Sequence, residues 1–186
     1  IGGKLPGLMG GKSISGHAKA NGNNGWTARI MWGQQGRGLS YLYYPDMRDH
    51  AQNRQACPRY GQNSEKCKIY RNKYFTYSPG SGSQCISEWP EDKFEFKFKA
   101  GRFYKIKQHL KMNTVQSGKQ GKRDGVLKIW VDDKLVLNCN NIRYRDTPKL
   151  AIDALLFNTF FGGNTAESSA HPRDERIYFD DVVVSY

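Results

Sequence analysis

Trp26-Thr27-Ala28-Arg29-Ile30-Met31-Trp32 is the stretch of sequence that decides the fold class. Successive side chains of a β-strand point to opposite faces of a sheet, so this stretch divides into two faces. The apolar face consists of Trp26, Ala28, Ile30 and Trp32. The opposite face consists of Thr27, Arg29 and Met31. The pattern predicts a strand that packs on one face and carries polar chemistry on the other.

The same alternation recurs along most of the chain. After a glycine-rich turn, residues 39–44 predict a second strand with Tyr41 and Tyr43 on one face. Further strands are predicted at residues 93–99, 103–112, 126–131, 134–139, 150–161 and 176–186. Residues 45–90 predict a long loop region with one strand near 68–77. About eight to ten short strands indicate an all-β protein, a β-jelly roll or two-sheet antiparallel sandwich.

The length of 186 residues predicts a single domain over residues 1–186. No apolar run approaches the ~20 residues of a membrane span, so we expect no membrane association. The chain begins at Ile1 without an initiator Met or a signal peptide, and we expect that an earlier segment has been removed. A monomer is expected.

The charge balance favours an anionic polymer as partner. The chain has 29 Lys and Arg against 17 Asp and Glu, a formal net charge of +12. Nucleic acid and acidic polysaccharide both suit such a charge, because it attracts polyanions over long distances. A basic surface that only improves solubility is the third interpretation.

The cysteines are Cys57, Cys67, Cys85 and Cys139. None belongs to a C-x-x-C pair, so we expect no zinc site. Cys57 and Cys67 bracket a short polar loop, which suits a local disulfide in a secreted protein and leaves Cys85 and Cys139 for a second bridge. Other pairings, or free thiols in a cytosolic protein, remain open at this point.

Polar side chains converge on the first two predicted strands. Adjacent strands lie ~4.8 Å apart, so Thr27 and Arg29 can meet Tyr41 and Tyr43. Cleavage of a uronic acid polymer by β-elimination needs a cation at the C5 carboxylate, a base for the C5 proton and an acid for the leaving oxygen. Arg can supply the first and Tyr the other two. Paired tyrosines on a strand are also a common packing pattern.

A tyrosine acts as base only if nearby cations lower its pKa from ~10. The cations expected to do so are Arg29, Lys4 and a row of lysines on the predicted strand 103–112. We expect this row to bind neighbouring acidic groups of the substrate together with a histidine on the same face; its members are Lys105, Lys107, His109 and Lys111.

Other chemistries have little support in the sequence. It contains no phosphate-binding G-x-x-x-x-G-K-[ST] loop, no G-x-S-x-G and no H-E-x-x-H. The acidic residues lie mostly in turns, which disfavours the paired carboxylates of a glycoside hydrolase. We therefore expect neither a cofactor nor a metal.

Several motifs resemble one family over nearly the whole chain. They are Gly-Gly-Lys-Leu-Pro-Gly-Leu-Met-Gly-Gly at 2–11, Thr-Ala-Arg-Ile-Met-Trp at 27–32, Tyr-Leu-Tyr-Tyr at 41–44, Phe-Asn-Thr-Phe-Phe-Gly-Gly at 157–163 and Tyr-Phe-Asp-Asp at 178–181. This set resembles the alginate and glucuronan lyases of polysaccharide lyase family 14. The glucuronan lyases of family 20 share similar motifs and are the second choice.

The resemblance implies a β-jelly roll with a concave basic cleft and a metal-free elimination. The family's functional residues are a Lys in the Gly-Gly-Lys-Leu-Pro-Gly segment, a Ser-x-Arg and a Tyr-x-Tyr. These positions correspond to Lys4, to Thr27 with Arg29, and to Tyr41 with Tyr43. Thr27 departs from the family's Ser, keeping the hydroxyl but adding a methyl group. The functional assignment of Lys4 depends on the resemblance alone, because the surrounding sequence predicts a lysine in a glycine-rich loop.

These observations together predict a secreted lyase that cuts alginate or glucuronan. In this prediction Arg29 and Lys4 hold the carboxylate, Tyr41 or Tyr43 transfers protons, and Thr27 orients the sugar. A carbohydrate-binding module without activity is the main alternative, because tyrosines can stack on sugars and cations can bind carboxylates. A nucleic-acid binder is the third hypothesis, but the sequence contains no nucleic-acid-binding motif. We therefore expect that nucleic acid is not a partner.

Overall fold

The computed structural model describes residues 2–14, 20–46, 93–161 and 175–185. Its strands are β1 (Gly3–Gly11), β2 (Gly25–Trp32), β3 (Arg37–Tyr43), β4 (Lys93–Lys97), β5 (Ile106–Lys111), β6 (Gly125–Val131), β7 (Lys134–Ile142), β8 (Ala154–Leu156) and β9 (Phe160–Phe161). A short 3₁₀ turn at Gln34–Gly36 joins β2 to β3. No helix in these described ranges has the length and hydropathy to cross a membrane.

The strands form two antiparallel sheets. The first sheet has the order β4-β3-β2-β1-β8, and β9 pairs with β1 beside β8. The second sheet has the order β5-β6-β7. The predicted all-β, two-sheet antiparallel architecture is therefore confirmed.

The main hydrophobic core connects the two sheets. The first sheet contributes the apolar face of β2 and alternate residues of β3, and the second sheet contributes the inward residues of all three strands. Its central members are Trp26, Ala28, Ile30, Leu42, Leu110, Leu127, Ile129 and Cys139. The two predicted faces of β2 are thus confirmed, since Arg29, Thr27 and Met31 point away from this core. Burial of the apolar face, at roughly 25 cal/mol per Å², stabilises the sandwich and holds the opposite face of β2 in place.

Strand β1 corrects the prediction that Lys4 lies in a loop. The segment is glycine-rich, and glycine is depleted in strands, yet β1 pairs with β2 along most of its length. Its glycines lie where the backbone comes very close to its neighbours: a Cβ at Gly7 would be 2.2 Å from the Ala28 carbonyl oxygen. Close backbone approach is one of the reasons for glycine within a strand.

A register shift between Lys4 and Gly7 interrupts the β1 ladder. Leu5 and Pro6 occupy this irregularity, which suits proline because it has no N–H to donate to a neighbouring strand. Such bulges bend a strand and change the direction of its side chains. Here the bulge releases the Leu5 carbonyl from the ladder, and that carbonyl accepts a hydrogen bond from Arg29.

Several predicted strand boundaries were wrong. The strand predicted at 103–112 is limited to Ile106–Lys111, and the one at 150–161 consists of two short strands, β8 and β9. The strand predicted at 93–99 ends at Lys97. Residues 175–185 contain no strand, although 176–186 was predicted as one. The predicted hairpin around Asp132 and Asp133 is confirmed.

Other predictions fall on residues outside the described ranges. These are the strand near 68–77, most of the loop region 45–90, and three of the four cysteines, at positions 57, 67 and 85. Cys139 lies on β7 in the core. The disulfide pairing therefore stays a prediction.

A buried ion-pair network joins the end of β3 to the segment after β7. The Arg143 guanidinium donates to Asp46 at 2.6 Å and to Asp146 at 2.9 Å. Asp46 follows the tyrosine-bearing strand β3 by three residues, so this network restrains the exit of that strand. Removal of one partner from a buried pair leaves an uncompensated charge, which costs about 3–5 kcal/mol.

Replacement of Gly7 by Ala tests the close packing of β1 on β2. The added Cβ would meet backbone atoms of Ala28 and Arg29 that cannot move aside by a rotamer change. We expect a loss of about 2–3 kcal/mol in the free energy of unfolding, measured by urea denaturation. Ser13→Ala, at an exposed position just after β1, is the control and should change stability by less than about 0.5 kcal/mol. Equal stability of Gly7→Ala and the control would contradict this packing.

Candidate active site

The predicted polar face of β2 forms one cluster with its neighbours on the outer side of the first sheet. Arg29 pairs directly with Tyr41, and Thr27 pairs with Tyr43 on the adjacent strand. Lys4 lies on the other side of β2, opposite Met31. The structure therefore brings together Lys4, Arg29, Thr27, Tyr41 and Tyr43. The strand pattern predicts this for the last four, whereas Lys4 was predicted from the family resemblance alone.

These polar side chains are largely buried. The exposed fractions are 8% for Lys4, 3% for Arg29, 9% for Tyr41 and 2% for Tyr43. A small apolar cluster packs around them; it contains Ile14, Ala20 and Met31. Within the described ranges no Asp or Glu forms an ion pair with Lys4 or Arg29. In the part of the chain that the structure describes, the site therefore holds two buried cations without a compensating carboxylate.

Arg29 is held in one orientation by backbone and amide oxygens. Its Nε donates to the Leu5 carbonyl oxygen at 3.3 Å. Its Nη2 donates to the Asn158 carbonyl oxygen at 3.0 Å and to the Asn158 side-chain oxygen. Nη1 makes no hydrogen bond with the part of the chain that the structure describes. The guanidinium is thus fixed through one edge while another donor is left for an anion.

Lys4 is positioned by the short strand β9. Lys4 and Phe160 are cross-strand partners, and the Thr159 hydroxyl donates to the Lys4 carbonyl oxygen at 2.7 Å. The Lys4 Nζ lies 5.0 Å from the centre of the Tyr41 ring and 5.5 Å from that of Phe160. The Arg29 guanidinium lies 5.3 Å from the same Phe160 ring. Cation–π contacts of this kind partly replace the water that the two cations have lost.

The two tyrosines are hydrogen-bonded to each other. Their hydroxyl oxygens are 2.7 Å apart, and their rings meet edge to face. Burial raises the pKa of Tyr41, and the hydrogen bond and charge of Tyr43 raise it further, whereas Arg29 opposes the change. The expectation of a lowered pKa was therefore wrong for Tyr41, because the loss of water outweighs the effect of Arg29. Tyr41 stays protonated over the usual pH range.

Both cations are shifted towards their neutral forms. Burial lowers the pKa of Lys4, and the positive charge of Arg29 lowers it further. Burial also lowers the pKa of Arg29, while Tyr41 and Tyr43 act in the opposite direction. A lysine amine with a lowered pKa is a better base near neutral pH, which makes Lys4 a candidate for proton transfer.

Thr27 uses its hydroxyl within the protein. Its Oγ1 donates to the Ile14 carbonyl oxygen at 2.9 Å, so the proton of this hydroxyl is engaged and the oxygen keeps capacity to accept. A part in orienting the sugar stays a prediction for Thr27.

The predicted substrate-binding row does not lie beside this cluster. Lys107, His109 and Lys111 are on β5 of the second sheet, exposed on the side opposite to the main core. Lys105 precedes β5 and pairs with Asp133 at 2.9 Å. The whole sandwich separates these four residues from Arg29. They do not contribute to the pKa of Tyr41, and their binding role stays a prediction.

Three residues of the site were not singled out by the sequence analysis. Asn158, Thr159 and Phe160 lie in and just before β9, where they contact Arg29 and Lys4. Alternation could not indicate them, because β9 has two residues and the contact spans more than 120 positions of sequence. The signal available was the motif Phe-Asn-Thr-Phe-Phe-Gly-Gly at 157–163, one of the motifs that carry the family resemblance.

No group of three or more His, Cys, Asp or Glu side chains that could hold a metal ion occurs in the described residues.

A family model for "Polysaccharide lyase 14" matches residues 1–182 of the chain. This chain belongs to polysaccharide lyase family 14. The choice between families 14 and 20 is thereby decided, and the predicted recognition is confirmed. No curated protein sequence matches the chain significantly.

Solved structures support the same fold for this family 14 chain. The marine PL-14 alginate lyase from Aplysia kurodai is 27% identical, with a TM-score of 0.59 over 92% of this chain and 58% of that one. Alginate lyase vAL-1 from Chlorella virus is 22% identical, with a TM-score of 0.56 over 87% of this chain and 55% of that one. A variant of alginate lyase Aly36B, solved with an alginate tetrasaccharide, is 20% identical over 91% and 56%, with a TM-score of 0.56. The chain thus spans somewhat more than half of each of these structures.

A double-mutant cycle between Arg29 and Asn158 tests how the guanidinium is held. Arg29→Met, Asn158→Ala and the double variant are compared with the wild type by urea denaturation. A hydrogen bond to a charged group contributes about 1.5–3 kcal/mol, so we expect a coupling of at least about 1 kcal/mol between the two positions. Additive effects within about 0.3 kcal/mol would show that the Asn158 side chain does not hold Arg29.

Proposed function

We propose that this chain cleaves an acidic uronate polymer, alginate or glucuronan, by β-elimination without a metal ion. The observation that carries the proposal is a pair of buried cations, unpaired within the described residues, beside two hydrogen-bonded tyrosines. Family membership and the alginate lyases among the similar structures support it. Secretion, expected from the cysteines, belongs to the same proposal.

Arg29 neutralises the C5 carboxylate of the sugar that loses its proton. Leu5 and Asn158 bind its Nε and Nη2, and among the described residues nothing accepts from its Nη1, which is the donor for this carboxylate. Neutralisation matters because a negative carboxylate opposes the charge that develops on C5 as the proton leaves. In this buried site, a charge-assisted hydrogen bond is stronger than it would be in water.

Lys4 removes the C5 proton and Tyr41 protonates the leaving oxygen. The C5–H proton moves to the Lys4 Nζ, its electron pair forms the C4–C5 double bond, and the C4–O bond breaks. The leaving oxygen then takes the Tyr41 hydroxyl proton. The directions of the pKa shifts support this division, because Lys4 is shifted towards the neutral amine and Tyr41 towards the protonated phenol.

Tyr43 stabilises the phenolate form of Tyr41, and Phe160 helps to bind the sugar. The Tyr43 hydroxyl, 2.7 Å from that of Tyr41, can donate to the phenolate that Tyr41 becomes. The Phe160 ring is 46% exposed above both cations and offers a face on which a sugar ring can stack. A polymer bound at this edge would bring its carboxylate to Arg29.

Substitution of Tyr41 by Phe should remove the acid while it keeps the ring that faces Lys4. We expect kcat for the formation of unsaturated uronate from alginate or glucuronan, with EDTA present, to fall by about 10²–10⁴-fold. Tyr104→Phe, whose hydroxyl contacts the backbone at Lys99 far from the cluster, is the matched control and should keep activity. Loss of activity in both variants, or in neither, would reject the role of Tyr41.

On the acid side of its pH profile, kcat/KM should rise as Lys4 loses its proton. Only the neutral amine accepts a proton, so kcat/KM increases as the pH rises through the Lys4 pKa, which lies below its usual 10.5. The protonated form of Tyr41 persists because its pKa is raised, so no alkaline decline from this group is expected up to about pH 10.

Arg29→Gln should move the same acid limb to higher pH. The positive charge of Arg29 is one cause of the low Lys4 pKa, so its removal raises that pKa and the neutral amine forms only at higher pH. The variant should also lose activity at every pH. An acid limb that stays at the same pH in Arg29→Gln would show that Lys4 does not titrate in this limb.

A further inference from the structure

The second sheet presents a basic outer face that the proposed reaction does not use. Its strands β5 and β6 alternate, with Leu110 and Leu127 inward as a direct cross-strand pair. The outward pairs are Lys107 with Trp130, His109 with Lys128, and Lys111 with Val126. Lys107, His109 and Lys111 are exposed, whereas Lys128 and Trp130 are half-buried. The side chains of β5 on this face recur every ~6.8 Å.

Within the described ranges, no acidic side chain forms an ion pair with Lys107, Lys111 or Lys128 on this outer face. Asp132 and Asp133, at the β6–β7 turn, are engaged by Arg102 and Lys105. On β7 the neighbours of Lys128 and Trp130 are Asn138 and Leu135, which carry no charge. Among the described residues, Lys107, Lys111 and Lys128 therefore form no ion pair. His109 and Lys128 are direct cross-strand partners on this face.

An aromatic ring lies in the middle of these charges. The Lys107 Nζ is 5.0 Å from the centre of the Trp130 ring. Leu135, the cross-strand partner of Trp130, is 44% exposed and extends the apolar part of the surface. An indole next to ammonium groups suits a sugar that carries a carboxylate, because the ring stacks on the sugar while the cation binds the acid group.

We infer that this outer face is a second, non-catalytic binding surface for an acidic polysaccharide chain. It would hold the polymer on the opposite side of the sandwich from Arg29 and increase its local concentration at the enzyme. Among the described residues, the unpaired lysines of this face are Lys107, Lys111 and Lys128. The indole of Trp130 beside the Lys107 ammonium group, together with the substrate of the proposed function, favours a carboxylated polysaccharide over a nucleic acid. The inference rests on the proposed function only for the identity of the polymer.

The experiment measures binding of uncut polymer to charge variants of this face. All proteins carry Tyr41→Phe and Tyr43→Phe, so the polymer stays intact, and polymannuronate, polyguluronate and glucuronan are titrated by calorimetry at two salt concentrations. The test variant is Lys107→Gln/Lys111→Gln/Lys128→Gln. The matched control is Lys119→Gln/Lys122→Gln/Lys149→Gln, which removes the same charge from exposed positions outside the strands. Circular dichroism checks that each variant is folded.

We expect the test variant to bind the preferred polyuronate about tenfold more weakly than the control, with a smaller dependence on salt. Trp130→Ala should weaken binding further at high salt, where charge is screened and stacking persists. Equal affinity of the test and control variants would overturn the inference, as would tighter binding of single-stranded DNA than of any polyuronate at equal salt. Binding is measured apart from cleavage, so failure of the proposed lyase activity would not be confused with failure of this surface.

Discussion

The burial of Arg29 beside Lys4 is the interaction on which the candidate site depends. Removing a cation from water costs several kcal/mol, and two adjacent cations also repel each other. Within the described residues only neutral groups offset this cost: the Leu5 and Asn158 oxygens, and the Phe160 and Tyr41 rings. The arrangement is most stable when an anion completes it, which a uronate carboxylate would do.

The rest of the fold provides the rigidity that this pair of cations needs. The main core fixes the inner face of β2, so the outer face can place Arg29 against Tyr41 through strand pairing alone. The bulge at Leu5 and Pro6 directs a backbone carbonyl to the guanidinium, and the short strand β9 brings Asn158 to its other side. The same packing that stabilises the protein therefore holds the two cations in a geometry that can bind an anion.

Much of this could be predicted from the sequence, and the rest could not for physical reasons. The period of two on β2 and β3 indicated both the core and the polar face, because alternation is a local property of a strand. Lys4 was predicted to lie in a loop, since glycine and proline are poor strand formers; their benefit here comes from close contact with Ala28 and from a bulge, which are tertiary features. Asn158 and Phe160 are far from Arg29 and Lys4 in the sequence, and only the pairing of β9 with β1 places them at the site.

The positions of the basic residues in the sequence could not show which of them lie close together in the structure. The row on β5 alternates as predicted, but alternation does not reveal which face of which sheet a strand will occupy, and the row lies across the sandwich from Arg29. The protonation state of Tyr41 could not be predicted from the sequence either. The sequence indicated Arg29, the cation that lowers the Tyr41 pKa, but it did not indicate the burial that raises it.

The most direct test of the central claim is the chemical structure of the product. Alginate, polymannuronate, polyguluronate and glucuronan are incubated separately with the protein and EDTA, and the fragments are analysed by mass spectrometry and ultraviolet absorbance. The account predicts, for at least one polymer, fragments whose new end has lost one water relative to a hydrolysis product and absorbs as a conjugated unsaturated uronate. Fragments with saturated ends, or polymers that are bound and remain uncut, would contradict it.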